Sequence, residues 1–186
     1  MELATLLNDC KRGDELAWEA LVRRYQGRVH GIAYHYVGNH EDARDLAQDI
    51  FVRLYKNLSL CTDAQRFVPW MIRIARNASI DFLRRQKARS HVRDVPVDEM
   101  WDVADERPTP EQASANAARR RILCGALQKL THLSREVILL KEIQGLSIEE
   151  VSILLGAPVG TIKSRSHRAR LELAEQVLAL AGEDRV

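Results

Sequence analysis

Apolar residues return every three or four positions along most of the chain, and nowhere do they alternate strictly as they would in a half-buried strand. Leu21, Val22, Tyr25, Val29, Ile32, Ala33 and Tyr36 make one such stripe. Ala43, Leu46, Ala47, Ile50, Phe51, Leu54, Tyr55 and Leu58 make a second, and Gly38 and Asn39 stand just before it, where a turn and a helix N-cap are needed. A third runs through Phe67, Trp70, Met71, Ile74, Ala75, Ala78, Phe82 and Leu83. These stripes predict three amphipathic helices whose apolar faces form one core.

Further along, Thr109-Pro110-Glu111-Gln112 combines a threonine cap, proline at the first helical position and a capping-box glutamine, which predicts a helix running to about Lys129. A second helix is expected over Ser134 to Gln144, stopped by Gly145. Ser147-Ile148-Glu149-Glu150 is another capping box, opening a short helix that ends at Gly156, and a last helix starts near Val159 and continues past Leu173. Between Ser147 and Arg170 the chain therefore reads as a helix-turn-helix, with Gly156-Ala157-Pro158 as its turn.

Between these helical stretches lies DVPVDEMWDVADERPTPEQ, which holds three of the five prolines and shows no sustained apolar period. It reads as a linker. The predicted architecture is all-α: two small helical domains, residues 1–93 and 113–186, joined by an acidic linker over 94–112, with the helix-turn-helix in the second.

Charge sharpens this division. The net charge is only +2, but the signs are segregated: Arg66 to Arg93 holds eight Lys/Arg against Asp81 alone, whereas Asp94 to Gln112 holds seven Asp/Glu against Arg107 alone. A basic block beside an acidic one suggests a polyanion-binding surface next to a solvated linker. The first residues lack the basic-then-apolar layout of a secretory signal, and no apolar run approaches the ~20 residues of a membrane span, so no membrane insertion and a cytoplasmic location are expected. There Cys10, Cys61 and Cys124 would be reduced thiols. His30, His35 and His40 fall at steps of five, without the spacing of zinc ligands, and no phosphate loop or nucleophile elbow is present. No metal, no cofactor and no enzymatic activity are expected.

On the last helix Ile162, Ala169 and Leu173 can face a core, leaving Thr161, Lys163, Ser164, Arg165, His167, Arg168 and Arg170 to the outside. Arg and Lys there can donate to guanine O6 and N7, and the free N–H groups at the helix start suit a phosphate. On the helix of the second stripe, Asp42, Asp45 and Asp49 fall at i, i+3 and i+7 opposite the apolar side, with Gln48 at the edge, forming an acidic ridge. The residues alone leave open a dimeric helix-turn-helix regulator, or a helical adaptor that binds acidic partners through its basic faces.

LLKEIQGLSIEEVSILLGAPVGTIKSRSHRARLEL resembles the promoter-binding C-terminal domain of extracytoplasmic-function (ECF) sigma factors of the sigma-70 family. RGDELAWEALVRRYQGRV, EDARDLAQDIFVRLYKNL and FVPWMIRIARNASIDFLRR resemble the core-binding and −10-binding domain of the same family, in the same order. The resemblance implies that Asp42, Asp45, Gln48 and Asp49 meet the clamp helices of the polymerase β′ subunit. It implies that Trp70, Arg73, Arg76, Asn77, Asp81, Arg84 and Arg85, with the loop Ser59 to Arg66, bind the −10 element, although the spacing of Trp70 also suits the core. The same resemblance gives the −35 element to Lys141, Thr161, Lys163, Ser164, Arg165, His167, Arg168 and Arg170, and the β-flap tip to the helices before the recognition unit. Its implied partners are core RNA polymerase, promoter DNA and a separate anti-sigma factor. Two places depart from the family pattern: the loop SLCTDAQRF lacks the aromatic and glycine common there, and Ser166 stands where the family usually has an apolar residue.

Overall fold

The computed structural model describes residues 2–89 and 110–183. The chain divides into two compact units, Met1–Glu99 and Met100–Val186. Each is built from helices, with no strand among the described residues. The acidic segment 94–112 lies outside the described residues except for its last turn, where the next helix opens at Pro110.

In the first unit, α1 (Leu3–Lys11) lies against α2 (Glu15–Val37), and α2, α3 (His40–Asn57) and α4 (Phe67–Arg89) pack against one another. Leu21, Val29 and Ile32 of α2 meet Leu46, Ile50 and Leu54 of α3 and Phe67, Met71 and Ile72 of α4 in a fully buried core. Each such side chain stabilises the fold by about 1.5–3 kcal/mol. The turn between α2 and α3 follows from its two residues. Gly38 closes α2 in the left-handed conformation (φ 76°), and the Asn39 side chain accepts from the Asp42 N–H at 2.8 Å. Tyr55, expected in the apolar stripe of α3, is instead 57% exposed, because it lies on the edge of the stripe below the half-buried Phe51 while Leu54 and Leu58 keep its centre in the core. Its ring rests edge-on against Trp18 of α2 at 5.1 Å.

In the second unit, α5 (Pro110–Lys129) and α6 (His132–Ile138) both pack on the long α8 (Val159–Glu183), and α7 (Ile148–Leu155) crosses its start. The helix expected over Ser134–Gln144 differs in two respects. It begins two residues earlier, since the Thr131 hydroxyl, rather than that of Ser134, takes the cap by accepting from the Ser134 N–H at 3.2 Å. It also widens to a π turn over Leu139–Ile143, where the Gln144 N–H reaches the Leu139 carbonyl at 2.9 Å. Arg135 fastens this helix to its predecessor: its guanidinium donates to the carbonyls of Leu127 (2.8 Å), Gln128 (2.7 Å) and Leu130 (3.1 Å), closing the C-terminal end of α5. Leu127, Leu130, Ile138 and Ala169 form a buried cluster that Leu173 covers.

Candidate nucleic-acid and protein interfaces

Three polar surfaces emerge. On α3, Asp45, Gln48 and Asp49 are exposed and share one face. Asp42 stands apart from them. It is half-buried, and its carboxylate accepts from Asn39 Nδ2 at 2.8 Å and from Gln86 of α4 at 3.5 Å. The acidic ridge thus has two open carboxylates and one that is occupied within the fold. Val52, which falls outside the apolar stripe of this helix, completes the open face and is 51% exposed. Its step of three from Asp49 and seven from Asp45 was the available signal.

On α4, Arg73, Asn77 and Arg84 are exposed along one side, joined by Lys87, and Arg85 is exposed beside them. Arg76 and Trp70 are half-buried, the Trp70 ring lying 5.9 Å from that of Phe67. Trp70 therefore serves the core and still offers an edge to the outside. Asp81 belongs to the seam with α3, where its carboxylate lies 3.6 Å from Arg53, while its carbonyl accepts from Arg85 Nε at 3.3 Å. The loop before α4 is two short 3-10 turns, Leu58–Leu60 and Ala64–Arg66, pinned by the buried Cys61 between them. Lys11 of α1 donates to the Cys61 carbonyl at 2.5 Å. Leu60 on this loop is 70% exposed.

The third surface is set by local sequence. Ser147 accepts from the Glu150 N–H at 3.1 Å, and the Glu150 carboxylate accepts from the Ser147 N–H at 2.7 Å, so α7 starts on a complete capping box. Gly156 ends it at φ 63°, where a side chain would strain the backbone. The Ser152 hydroxyl then donates to the Ala157 carbonyl at 2.6 Å, tying the turn to the helix it leaves. α8 starts with the Ile162 N–H on the Pro158 carbonyl at 3.0 Å. Ile162, Ser166 and Ala169 are buried and Leu173 partly so, whereas Thr161, Lys163, Ser164, His167, Arg168 and Arg170 are exposed. Arg165 sits at the edge, half-buried. The Ser164 hydroxyl donates to the Thr161 carbonyl at 3.0 Å, which leaves its oxygen able to accept.

Lys141 lies in the π turn, not on α6 proper, and is partly buried. It pairs with Glu142 at 3.2 Å, and Arg170 approaches the same carboxylate oxygen at 3.7 Å. The sequence reading passed over Glu142, since a pairing between residues 28 positions apart leaves no mark in local spacing. Among the described residues no three His, Cys, Asp or Glu side chains come together in a way that could hold a metal ion, and no helix is long and apolar enough to cross a membrane.

The described residues thus combine a capped two-helix unit that presents a basic face with, earlier in the chain, a helical unit that carries an acidic ridge and a basic helix. Residues 21–89 match Sigma-70 region 2, and residues 120–173 match Sigma-70, region 4. The chain is 31% identical over 182 residues to the ECF RNA polymerase sigma factor SigW of Bacillus subtilis, covering 95% of this chain and 97% of that one. It is 31% identical over 180 residues to the ECF RNA polymerase sigma-E factor of Escherichia coli K12, covering 94% of each. The ECF RNA polymerase sigma factor SigE of Mycolicibacterium smegmatis is 36% identical over 167 residues, and the match spans 88% of this chain but 63% of that longer protein. The solved structure of CnrH in complex with the cytosolic domain of CnrY is similar at a TM-score of 0.62 and 28% identity, covering 94% of this chain and 96% of that one. The chain belongs to the ECF RNA polymerase sigma factors of the sigma-70 family.

Proposed function

We propose that the chain binds core RNA polymerase through α3 and carries it to promoters that it reads at two places. Asp45, Gln48 and Asp49 meet the β′ clamp helices, with Asp42 fixing the start of α3 behind them. Arg73, Arg76, Asn77, Arg84 and Arg85 track the −10 strand while Trp70 offers a stacking edge and Asp81 holds the seam with α3. Thr161, Lys163, Ser164, Arg165, His167, Arg168 and Arg170 form the −35 face, supported by Lys141. Residues 1–93 and 113–186 are the two working domains and 94–112 their connection. The chain contributes no catalysis of its own, since phosphodiester synthesis belongs to the polymerase, and it acts in the cytoplasm where the polymerase is. A separate inhibitory protein of the anti-sigma type is part of this reading, supported by the CnrH relative, which was solved bound to another protein.

The observation that carries the proposal is the exposed face of α8, whose polar and basic residues project from a helix that follows the capped α7 and its closed turn. The test is transcription by core polymerase reconstituted with this chain on single-base variants of a −35 element. Arg168→Ala should relax preference at one position at a cost of about 1–3 kcal/mol, and Lys163→Ala should weaken all variants alike if it contacts phosphate. Wild-type activity with an unchanged ranking in both variants would remove these residues from the reading.

A further inference from the structure

We propose that Glu142 is an electrostatic brake on DNA binding, its carboxylate competing with backbone phosphate for two cations of the −35 face. The inference rests on the reading that Lys141 and Arg170 face DNA, and it concerns an acid to which that reading gives no role. One oxygen of Glu142 lies 3.2 Å from Lys141 Nζ and 3.7 Å from Arg170 Nη1. Lys141 and Glu142 are neighbours in the π turn, Arg170 comes from α8, and the packing of α6 on α8 brings the three together.

Stability does not account for this arrangement. The Lys141, Glu142 and Arg170 side chains are 25%, 37% and 53% exposed, and ion pairs so open to water contribute little to a fold. Their effect on a polyanion is larger. A phosphate that engages Lys141 or Arg170 must either displace Glu142 or share the cation with it, and in both cases the carboxylate remains within a few ångströms of the incoming charge. Because backbone phosphate is the same at every base pair, the penalty is uniform over sequence. The brake therefore shortens residence on all duplexes without altering which bases are preferred. It also leaves the cations partly neutralised before binding, so fewer counterions are released when DNA arrives.

The decisive variant is Glu142→Gln, which keeps the side-chain shape and removes the charge. Holoenzyme reconstituted from core polymerase and the full chain would be titrated onto a labelled 30-base-pair duplex of random sequence. It would also be titrated onto single-base −35 variants of a duplex selected from a random pool by the wild type, with core polymerase alone as background. The expected result is binding about 3–10-fold tighter on both kinds of duplex at low salt, with the gain shrinking as salt rises and a log–log salt slope steeper by up to about 0.9. The ranking of the −35 variants should not change. Affinity equal to or below wild type would overturn the brake, and so would a changed ranking, which would make Glu142 a base reader. Lys141→Ala and Arg170→Ala separate the two layers. If both weaken binding while Glu142→Gln matches wild type, only the brake fails. If both bind as wild type, their place on the DNA face fails and the brake with it.

Discussion

Ser79 and Ser166, both almost wholly buried on α-helices, are in opposite circumstances. The Ser79 hydroxyl on α4 donates to the Ala75 carbonyl at 2.8 Å, the usual resting place for a serine inside a helix. Ser166 on α8 is 1% exposed, and its hydroxyl has no hydrogen-bond partner. An unpaired buried hydroxyl costs on the order of 1–3 kcal/mol, so Ser166→Ala is expected to stabilise the second unit by about 1 kcal/mol after the small loss of packing. Denaturant unfolding of the full chain, followed by a probe in that unit, checks this. Cysteine chemistry belongs to the same scale. Burial raises the pKa of Cys10 above the ordinary thiol value of 9.0, with Asp14 and Asp9 adding to the effect. Burial raises Cys61 as well, against a smaller pull downward from Lys11. A thiol whose pKa is higher folded than unfolded supports the fold fully below the unfolded value, and that support is lost as pH rises through the folded one. The chain should therefore lose stability in the alkaline range above about pH 9. At pH 8 iodoacetamide should leave Cys10 and Cys61 unmodified until denaturant is added, a result mass spectrometry reads directly.

At the scale of elements, α3 and α7 each support a prediction. Charge reversal at Asp45 and Asp49 is expected to weaken core-polymerase binding at least tenfold while leaving the helical circular-dichroism signal and the thermal midpoint near wild type, because both carboxylates are exposed. Unchanged affinity by competition against the wild-type chain would remove α3 from the polymerase interface. Ser147→Ala opens the capping box of α7 and should cost about 1 kcal/mol of unfolding stability. Elements whose ends are decided locally were legible in the sequence. Asn39 before α3, Pro110 at the start of α5, Ser147 with Glu150 at α7, and Gly156 at its end all carry their signal within four residues. α1 was missed, since its buried set is only Leu6, Leu7 and Cys10 and no side chain caps its start. The start of α6 was misplaced because the cap at Thr131, whose hydroxyl accepts from the Ser134 N–H, was passed over. The π turn that follows has no periodicity of its own to betray it.

At the scale of the molecule, the sequence made two helical units legible because the acidic, proline-bearing stretch between them breaks the apolar pattern. What stayed hidden is every contact between distant residues. Arg135 closing α5, Arg53 beside Asp81 and Glu142 beside Arg170 depend on tertiary packing. The candidate surfaces divide in the same way: their basic and acidic members follow from helical spacing, whereas the engagement of Asp42 by Gln86 of α4 does not. α8 shows how far this separation extends. The side chains that seat it, Ile162, Ser166, Ala169 and Leu173, share no position with those it holds outward, Thr161, Lys163, Ser164, His167 and Arg168. On the reading that those outward residues face the −35 element, promoter preference can drift while the scaffold beneath it stays untouched. A library randomised at those five outward positions should yield mostly folded chains, from which selection could draw factors that ignore the parental genes and switch on a set of their own.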